Sequence, residues 1–207
     1  MTEYERMKNC MIYDCLTEEV ERAGKESRRL CHRYNNLGVD DEEERKQLLR
    51  ELFPNDDFGM FRVMEAPIHI DNRREITIGK NFYSNIYFTY ISGGPVEIGD
   101  NVFIGPYCTL AAGIHSLIAD ERRIFADGNG VLHDYEYGKK IKIGNDVWLA
   151  SNVTVCGGVT VGDGSVIGAG SVVTKDIPAG VLAAGNPCRV IRKITEKDSM
   201  YLRAKRD

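Results

Sequence analysis

The sequence predicts a mainly β solenoid with a helical hairpin at its N-terminal end. Two observations predict it: an apolar period of six residues through the second half, and a three-and-four apolar spacing confined to the first 55 of the 207 positions. A period of six suits neither a long helix nor a hairpin meander. It suits a short strand followed by a tight corner, stacked in triangular coils.

The helical part comes first. Charged residues crowd positions 1–55, whereas only Gly24 and Gly38 of the 21 glycines fall there. After Thr17, a candidate cap, Val20, Ala23, Ser27, Leu30, Cys31, Tyr34 and Leu37 recur at steps of three and four, the stripe of an amphipathic helix. Asn35, Asn36 and Gly38 stop it. Asp40 and Glu43 stand at capping-box spacing before a second helix, whose inner face is Leu48, Leu49, Leu52 and Phe53 and whose end is Pro54. Such a hairpin is too small to fold alone. The charged blocks on its outer side, such as Glu42 to Arg45, read as solvated surface.

From about Ile76 the period becomes six. Ile98, Ile104 and Leu110 keep it, as do Ile143, Leu149, Val155, Val161, Ile167 and Val173, with a second apolar residue two positions earlier at Ile141, Val147, Val153 and Val159. These are core positions. Gly99, Gly105, Gly144, Gly162 and Gly168 follow many of them, and Asp100, Asn145 and Asp163 come next, residue types that tolerate turn dihedrals. The rhythm breaks after Leu110 and resumes near Lys140. The expected plan is a helical segment over 1–55, a β-helix over 56–190 with a loop insertion near 113–140, and a tail over 191–207.

Composition removes several function classes. With 27 basic and 31 acidic residues the formal charge is −4, which gives no broad cationic surface for nucleic acid or acidic lipid. Glu3, Glu5, Arg6, Lys8 and Asp14 stand where a signal peptide needs an apolar run, and no long apolar run occurs, so the chain reads as cytoplasmic. Cys10, Cys15, Cys31, Cys108, Cys156 and Cys188 form no CxxC pair and are expected to be free, buried thiols.

Particular stretches carry more. NFYSN from Asn81, GNDVW from Gly144, VIGAGSVVTKDIP from Val166 and AGNPCRVIRKI from Ala184 resemble the maltose and galactoside O-acetyltransferases, and the resemblance runs nearly the whole length, hairpin included. It implies a left-handed parallel β-helix, a homotrimer, and coenzyme A lying in the cleft between two β-helices. Acetyl-CoA is then the co-substrate, no metal is required, and a sugar hydroxyl is the acceptor. The hand follows from the resemblance alone, since parallel crossovers are otherwise right-handed.

Of the four histidines, His115 stands at the head of the insertion, and solenoids place function in such loops. A hydroxyl attacking a thioester must lose its proton, and an imidazole suits that task near neutral pH. On residue chemistry alone a lone histidine is commonly a hydrogen-bonded bystander; the match of His115 to the family's catalytic position reverses that reading. By the same resemblance Asn85 stabilises the transition state, although an asparagine at a coil corner can be structural. Asp14, Asp71, Tyr83 and Trp148 match acceptor-cleft positions, with packing as the other reading for Trp148. Ser151, Ala169, Thr174, Lys175, Arg189 and Arg192 match residues that contact coenzyme A, the basic ones through charge-assisted bonds to phosphate.

Departures from the family bear on the acceptor. His115 is followed by Ser116 where proline is usual, Gly93 stands in place of an acceptor-binding aspartate, and the insertion looks longer. Loss of that aspartate leaves acceptor recognition weak unless Asp127 or Asp134 supplies a substitute carboxylate. Three other readings stay open at this stage: a hexapeptide acetyltransferase with a non-sugar acceptor, a metal-dependent enzyme of the carbonic-anhydrase type using three histidines, and an inactive scaffold. A covalent route through Cys108 or Cys156 conflicts with their repeat positions, where buried thiols are inert.

Overall fold

In the computed structural model, which describes residues 1–203, the six-residue period becomes a triangular parallel β-helix. Its first face stacks Ile76–Ile78, Val96–Ile98, Ile141–Ile143 and Thr160–Val161. The second stacks Arg62–Met64, Phe82–Ser84, Phe103–Ile104, Trp148–Leu149, Val166–Ile167 and Val181–Ala184, and the third Ile68–Ile70, Phe88–Ile91, Thr109–Ala111, Thr154–Cys156 and Val172–Val173. Alternate side chains point inward. The repeat aliphatics from Ile141 to Val173 are therefore all buried, in one column of core that also takes Phe82, Phe88 and Tyr90. Strands start earlier than the period suggests, at Arg62, because loops between the first strands hide the rhythm.

The corners explain the polar part of the repeat. Asn81, Asn101 and Asp146 adopt positive φ at equivalent places between the first and second faces, and their side chains form a ladder, Asn81 Nδ2 to Asn101 Oδ1 at 2.9 Å and Asn101 Nδ2 to Asp146 Oδ1 at 3.0 Å. At the next corner the left-handed positions include Asn152 and the bulky Tyr87 and Tyr107, which are strained there. Their rings stack at 4.8 Å and 11°, which offsets the cost.

The helical hairpin covers the open end of the first coil. Helix α2, Glu18–Asn35, buries Ala23, Ser27, Cys31 and Tyr34, and its last residue, Asn35, bonds both the N–H and the C=O of Ile68 at 2.8 Å. That satisfies an otherwise unpaired strand edge. Helix α3, Glu42–Leu52, buries Leu48, Leu49 and Leu52, with Phe53 buried just beyond its end. Beneath the hairpin Arg62 and Asp56 make an ion pair at 2.8 Å, with side chains 0% and 8% exposed, and the guanidinium lies 4.0 Å from the Phe58 ring centroid.

Three details differ from the sequence reading. The Asp40–Glu43 capping box does not form: the N-cap of α3 is Asp41, and its carboxylate instead accepts from the Gly38 N–H at 2.8 Å. A capping box does occur at Thr2 and Glu5, on helix α1, Glu3–Lys8, which is too short to show a stripe and buries only Met7. The strand Arg189–Lys193 pairs antiparallel with Val181–Ala184, so the sheet crosses the expected boundary at 190. Residues 204–207 of the tail lie outside the described residues.

The insertion folds over the corner between the third and first faces. Its strand Gly113–Ile114 pairs antiparallel with Tyr135–Gly138, which pairs in turn with Tyr13–Asp14, giving a three-stranded sheet that bridges insertion and N-terminus. Between them stands a hairpin, Phe125–Ala126 with Leu132–His133. Close approach of backbones demands glycine here. A Cβ on Gly138 would stand 1.8 Å from the Gly93 carbonyl oxygen, and one on Gly93, whose φ is +126°, would stand 2.5 Å from Gly113 Cα.

Candidate active site

Register builds the site. Tyr13 lies opposite Glu136, and His115 follows Ile114 opposite Tyr137, which sets Tyr13, Glu136 and His115 in one row on one face of the small sheet. The contacts agree: the Tyr13 hydroxyl donates to Glu136 Oε1, and His115 Nε2 lies 3.6 Å from Glu136 Oε2. Tyr13 is buried, the Glu136 side chain is 19% exposed and that of His115 is 57% exposed. Polarity thus rises from a buried phenol to an open imidazole.

Burial pushes the Glu136 carboxyl above the ordinary glutamate range, against the lowering effect of the Tyr13 bond. Burial and the neighbouring Glu136 charge also raise the Tyr13 phenol, which keeps it a donor. Burial, with Glu136 and Asp134 nearby, pushes the Cys15 thiol up to about 12. Cys108, expected from sequence to be an inert buried thiol, is raised by burial to about 11, so its thiolate is scarce near neutral pH.

Glu136 opens on a cavity of 180 Å³ lined by Tyr13, Cys15, Arg28, Asp71, Ser92 and others. Asp71 is held there by Arg28 Nη1 at 3.0 Å and by the Ser92 hydroxyl at 2.7 Å. Asp71 is thus brought beside His115's partner. Asp14 is not: its carboxylate lies on the opposite face of the small sheet, bonded to His133. Of the two carboxylates expected near Gly93, Asp134 lies beside Cys15 on the cavity side, whereas Asp127 is turned to His133. Asp127 accepts the N–H groups of Asn129 and Val131 in its own turn, and Glu136 lines the cavity together with Asp71.

Asn85 stands at the corner between the second and third faces. Its Oδ1 accepts the Ile86 N–H at 2.8 Å, which leaves its amide NH₂ to donate elsewhere. Ser151 and Ala169 occupy the same corner further along the solenoid; Thr174 and Lys175 occupy the corner of His115. All four are exposed. Tyr83 and Trp148 point outward from the second face in one column with Phe103, Trp148 being 52% exposed. Arg189 Nη1 donates to the Cys188 carbonyl at 2.8 Å, and Arg192 holds Asp198 through two bonds of 2.7 Å. Ser151 and Ala169 thus present an exposed backbone corner, and Lys175 and Arg189 exposed cations.

The sequence reading missed Glu136, Tyr13, Ser92 and Arg28. No spacing rule couples positions 13, 28, 92 and 136; only the alternation in YEYG of Tyr135 to Gly138 hints at a strand. Among the described residues no three His, Cys, Asp or Glu side chains gather as metal ligands; His69 projects from the outside of the third face. No described helix is long and apolar enough to cross a membrane.

A triangular parallel β-helix built on a six-residue repeat places the chain among the hexapeptide-repeat proteins. Three family descriptions match the chain: "Maltose acetyltransferase hexapeptide capping motif" over residues 6–56, "Hexapeptide repeat of succinyl-transferase" over 95–115 and "Bacterial transferase hexapeptide (six repeats)" over 140–175. The galactoside O-acetyltransferase of Escherichia coli K12 is 38% identical over 197 residues, 95% of this chain and 92% of its own length. A maltose O-acetyltransferase structure from Clostridium difficile superposes with a TM-score of 0.85 at 38% identity, covering 95% of this chain and 99% of that one. A hexapeptide-repeat acetyltransferase from Vibrio cholerae bound to acetyl coenzyme A superposes at 0.80 with 33% identity, covering 95% and 100%. The chain belongs to the maltose and galactoside O-acetyltransferase family: it is an acetyl-CoA-dependent acetyltransferase with that family's left-handed β-helix.

Proposed function

We propose that the protein transfers the acetyl group of acetyl-CoA to a sugar hydroxyl in a ternary complex, with His115 as general base. The row of Tyr13, Glu136 and His115 beside a polar cavity carries this reading. A carboxylate against one ring nitrogen favours the imidazolium formed when the other takes the hydroxyl proton. The bound thioester supplies the acyl group; as the new C–O bond forms and the C–S bond breaks, the same proton goes to the leaving thiolate. The Asn85 NH₂ suits the oxyanion that develops between those events. A cavity below the roughly 300–1,000 Å³ of most ligand clefts takes one small polar ring. Asp71, Ser92 and Arg28 offer that ring hydrogen bonds.

His115 and Asn85 stand at different corners of one solenoid, separated by the width of the third face, about 15 Å at 3.3 Å per residue. One chain cannot close both on a single carbonyl. The reading therefore includes a homotrimer in which each cleft joins His115 of one copy to Asn85 of the next. The outward column of Tyr83, Phe103 and Trp148 is covered at that junction, where Trp148 also reaches the sugar. Ser151, Ala169 and Arg189, which pairs with Ala184 above Gly168, then line the coenzyme from one wall, and Thr174 and Lys175 from the other. The compartment in this reading is the cytoplasm.

Release of the coenzyme A thiol across a panel of maltose, glucosides and galactosides tests the acceptor class. Turnover on at least one of them is expected, and none on any overturns it. His115→Ala should lose roughly a hundredfold to ten-thousandfold in kcat with unchanged acetyl-CoA affinity. Wild-type turnover in that variant would make His115 a bystander.

A further inference from the structure

The small sheet has a second face, and an ion cluster sits on it. Adjacent strand residues alternate sides, so Asp14 and Tyr135 turn away from the row of Tyr13, Glu136 and His115. The Asp14 side chain is 7% exposed. Its Oδ2 meets His133 Nδ1 at 2.6 Å, while its Oδ1 accepts the N–H groups of Leu16 and Asp134, both at 3.1 Å. On the far side of the same imidazole, Nε2 lies 3.7 Å from Asp127 Oδ2. The ring stands parallel to Tyr135 at 4° and 6.1 Å between centroids, with Phe125 at 5.4 Å.

A carboxylate at each ring nitrogen makes this a place for a cation. The Asp14 bond, helped by Asp127, raises the His133 imidazole above its ordinary value. Burial pushes the Asp14 carboxyl up, but the bonds from His133 and from the Asp134 and Leu16 amides outweigh it and hold that carboxyl below the usual range. Each partner stabilises the charge of the other.

The cluster also joins separate parts of the chain. Asp14 belongs to the N-terminal strand, His133 to the second strand of the hairpin, and Asp127 to the hairpin's turn. Glu136 lies three residues beyond His133, on the strand that runs between Tyr13–Asp14 and Gly113–Ile114. We propose that His133 is a positioning residue for acetyl transfer: its imidazole ties the hairpin to the strand Tyr13–Asp14 and thereby holds Glu136 in register with His115. This rests on His115 being the base and Glu136 its partner. Asp14, which matches an acceptor-lining position in the family, then acts through His133, from the face turned away from the acceptor cavity.

His133→Phe separates the tie from simple packing, because it keeps a ring beside Phe125 and Tyr135 and removes both nitrogens. A misplacement near 1 Å at a catalytic group costs about a hundredfold, so a ten- to hundredfold fall in kcat is expected, with the KM for acetyl-CoA within about twofold of wild type. Amide hydrogen exchange across residues 113–115 and 135–138 should quicken while the solenoid strands stay protected. Asp14→Asn, nearly isosteric, should behave alike, and the double variant should be no worse than the worse single, the mark of one shared interaction. Wild-type kcat and exchange in His133→Phe overturn the proposal. Should that variant fail to fold, wild-type kcat and exchange in Asp14→Asn overturn it equally. An active His133→Phe beside an inactive His115→Ala sinks this inference alone, whereas an active His115→Ala sinks the reading beneath it.

Discussion

Between Ile141 and Val173 each inward residue does what its neighbour six positions on does, and between Gly113 and Lys140 hardly any two residues share a role. The repeat region is made of interchangeable aliphatics whose value is volume and apolar area. The insertion is made of single placements: His115 exposed, Glu136 half-buried between two cavities, Gly138 against Gly93, His133 between two carboxylates. Redundancy stabilises the solenoid, and its absence in the insertion is what gives each residue there a distinct chemistry. Damage to the first region should therefore appear as lost stability, and damage to the second as lost turnover.

The largest expected effect breaks the repeat. Leu149→Ala removes a fully buried side chain from the core column and should cost about 2–5 kcal/mol, read as a lower denaturant midpoint with kcat preserved in the folded fraction. Loss of kcat without loss of stability would erase the division between the regions.

Gly93→Asp would restore the family's acceptor aspartate, and sequence reasoning alone expects it to improve sugar turnover. The structure reverses that expectation. At φ +126°, with Gly113 Cα 2.5 Å from the new Cβ, the aspartate adds roughly 1–3 kcal/mol of backbone strain and displaces the insertion strand. Lower thermal stability together with lower kcat is expected; a gain in kcat/KM on any galactoside or glucoside would show that the strand yields freely.

Glu136→Gln keeps the shape and the bond from Tyr13 but withdraws the charge beside His115. A fall of about ten- to a hundredfold in kcat at a melting temperature no lower than wild type is expected from steady-state kinetics and calorimetry. Unchanged kcat would leave the carboxylate structural.

The smallest effect concerns a carboxylate outside the insertion. Glu75 is buried and accepts the Tyr4 hydroxyl at 2.6 Å, and burial raises its carboxyl above the ordinary value. A folded value above the unfolded one means a stabilising contribution fully present below the unfolded value, about 4.3, and lost as pH rises through the folded value. Near pH 7 the protein carries a desolvated charge there. Glu75→Gln should therefore melt slightly higher than wild type at pH 7, by the equivalent of about 1 kcal/mol or less, and the gap should close below about pH 4. A gap that widens on acidification would reverse the sign.

How much could be read in advance follows from what periodicity carries. The stripe Ala23, Ser27, Cys31 and Tyr34 and the leucines of α3 are buried as their spacing requires, because a helix repeats its faces every 3.6 residues. The six-residue rhythm likewise marked the core of the coils, since stacking one strand on the next forces equivalent residues into equivalent places. Cap chemistry was less readable: Asp40 with Glu43 has the right spacing but forms no capping box, because Asp41 caps the helix and bonds the Gly38 N–H. His115 stood out as a histidine at the head of a broken rhythm, whereas Glu136 was one acid among 31.

The sequence by itself thus determined the repeated part of this protein: a hairpin of helices, a β-helix behind it, an insertion at a known place and, through matched motifs, the acetyltransferase family. Only the tertiary structure decided that Tyr13, Glu136 and His115 share a row, that Gly93 is required by the insertion's close approach, and that Asp14 belongs to His133. The physical reason is the range of the constraints. Periodic burial is set by neighbours within a turn or a coil and leaves a mark at fixed spacing, whereas a contact between residues 14 and 133 depends on how far a whole strand travels before it pairs, and no local spacing records that distance.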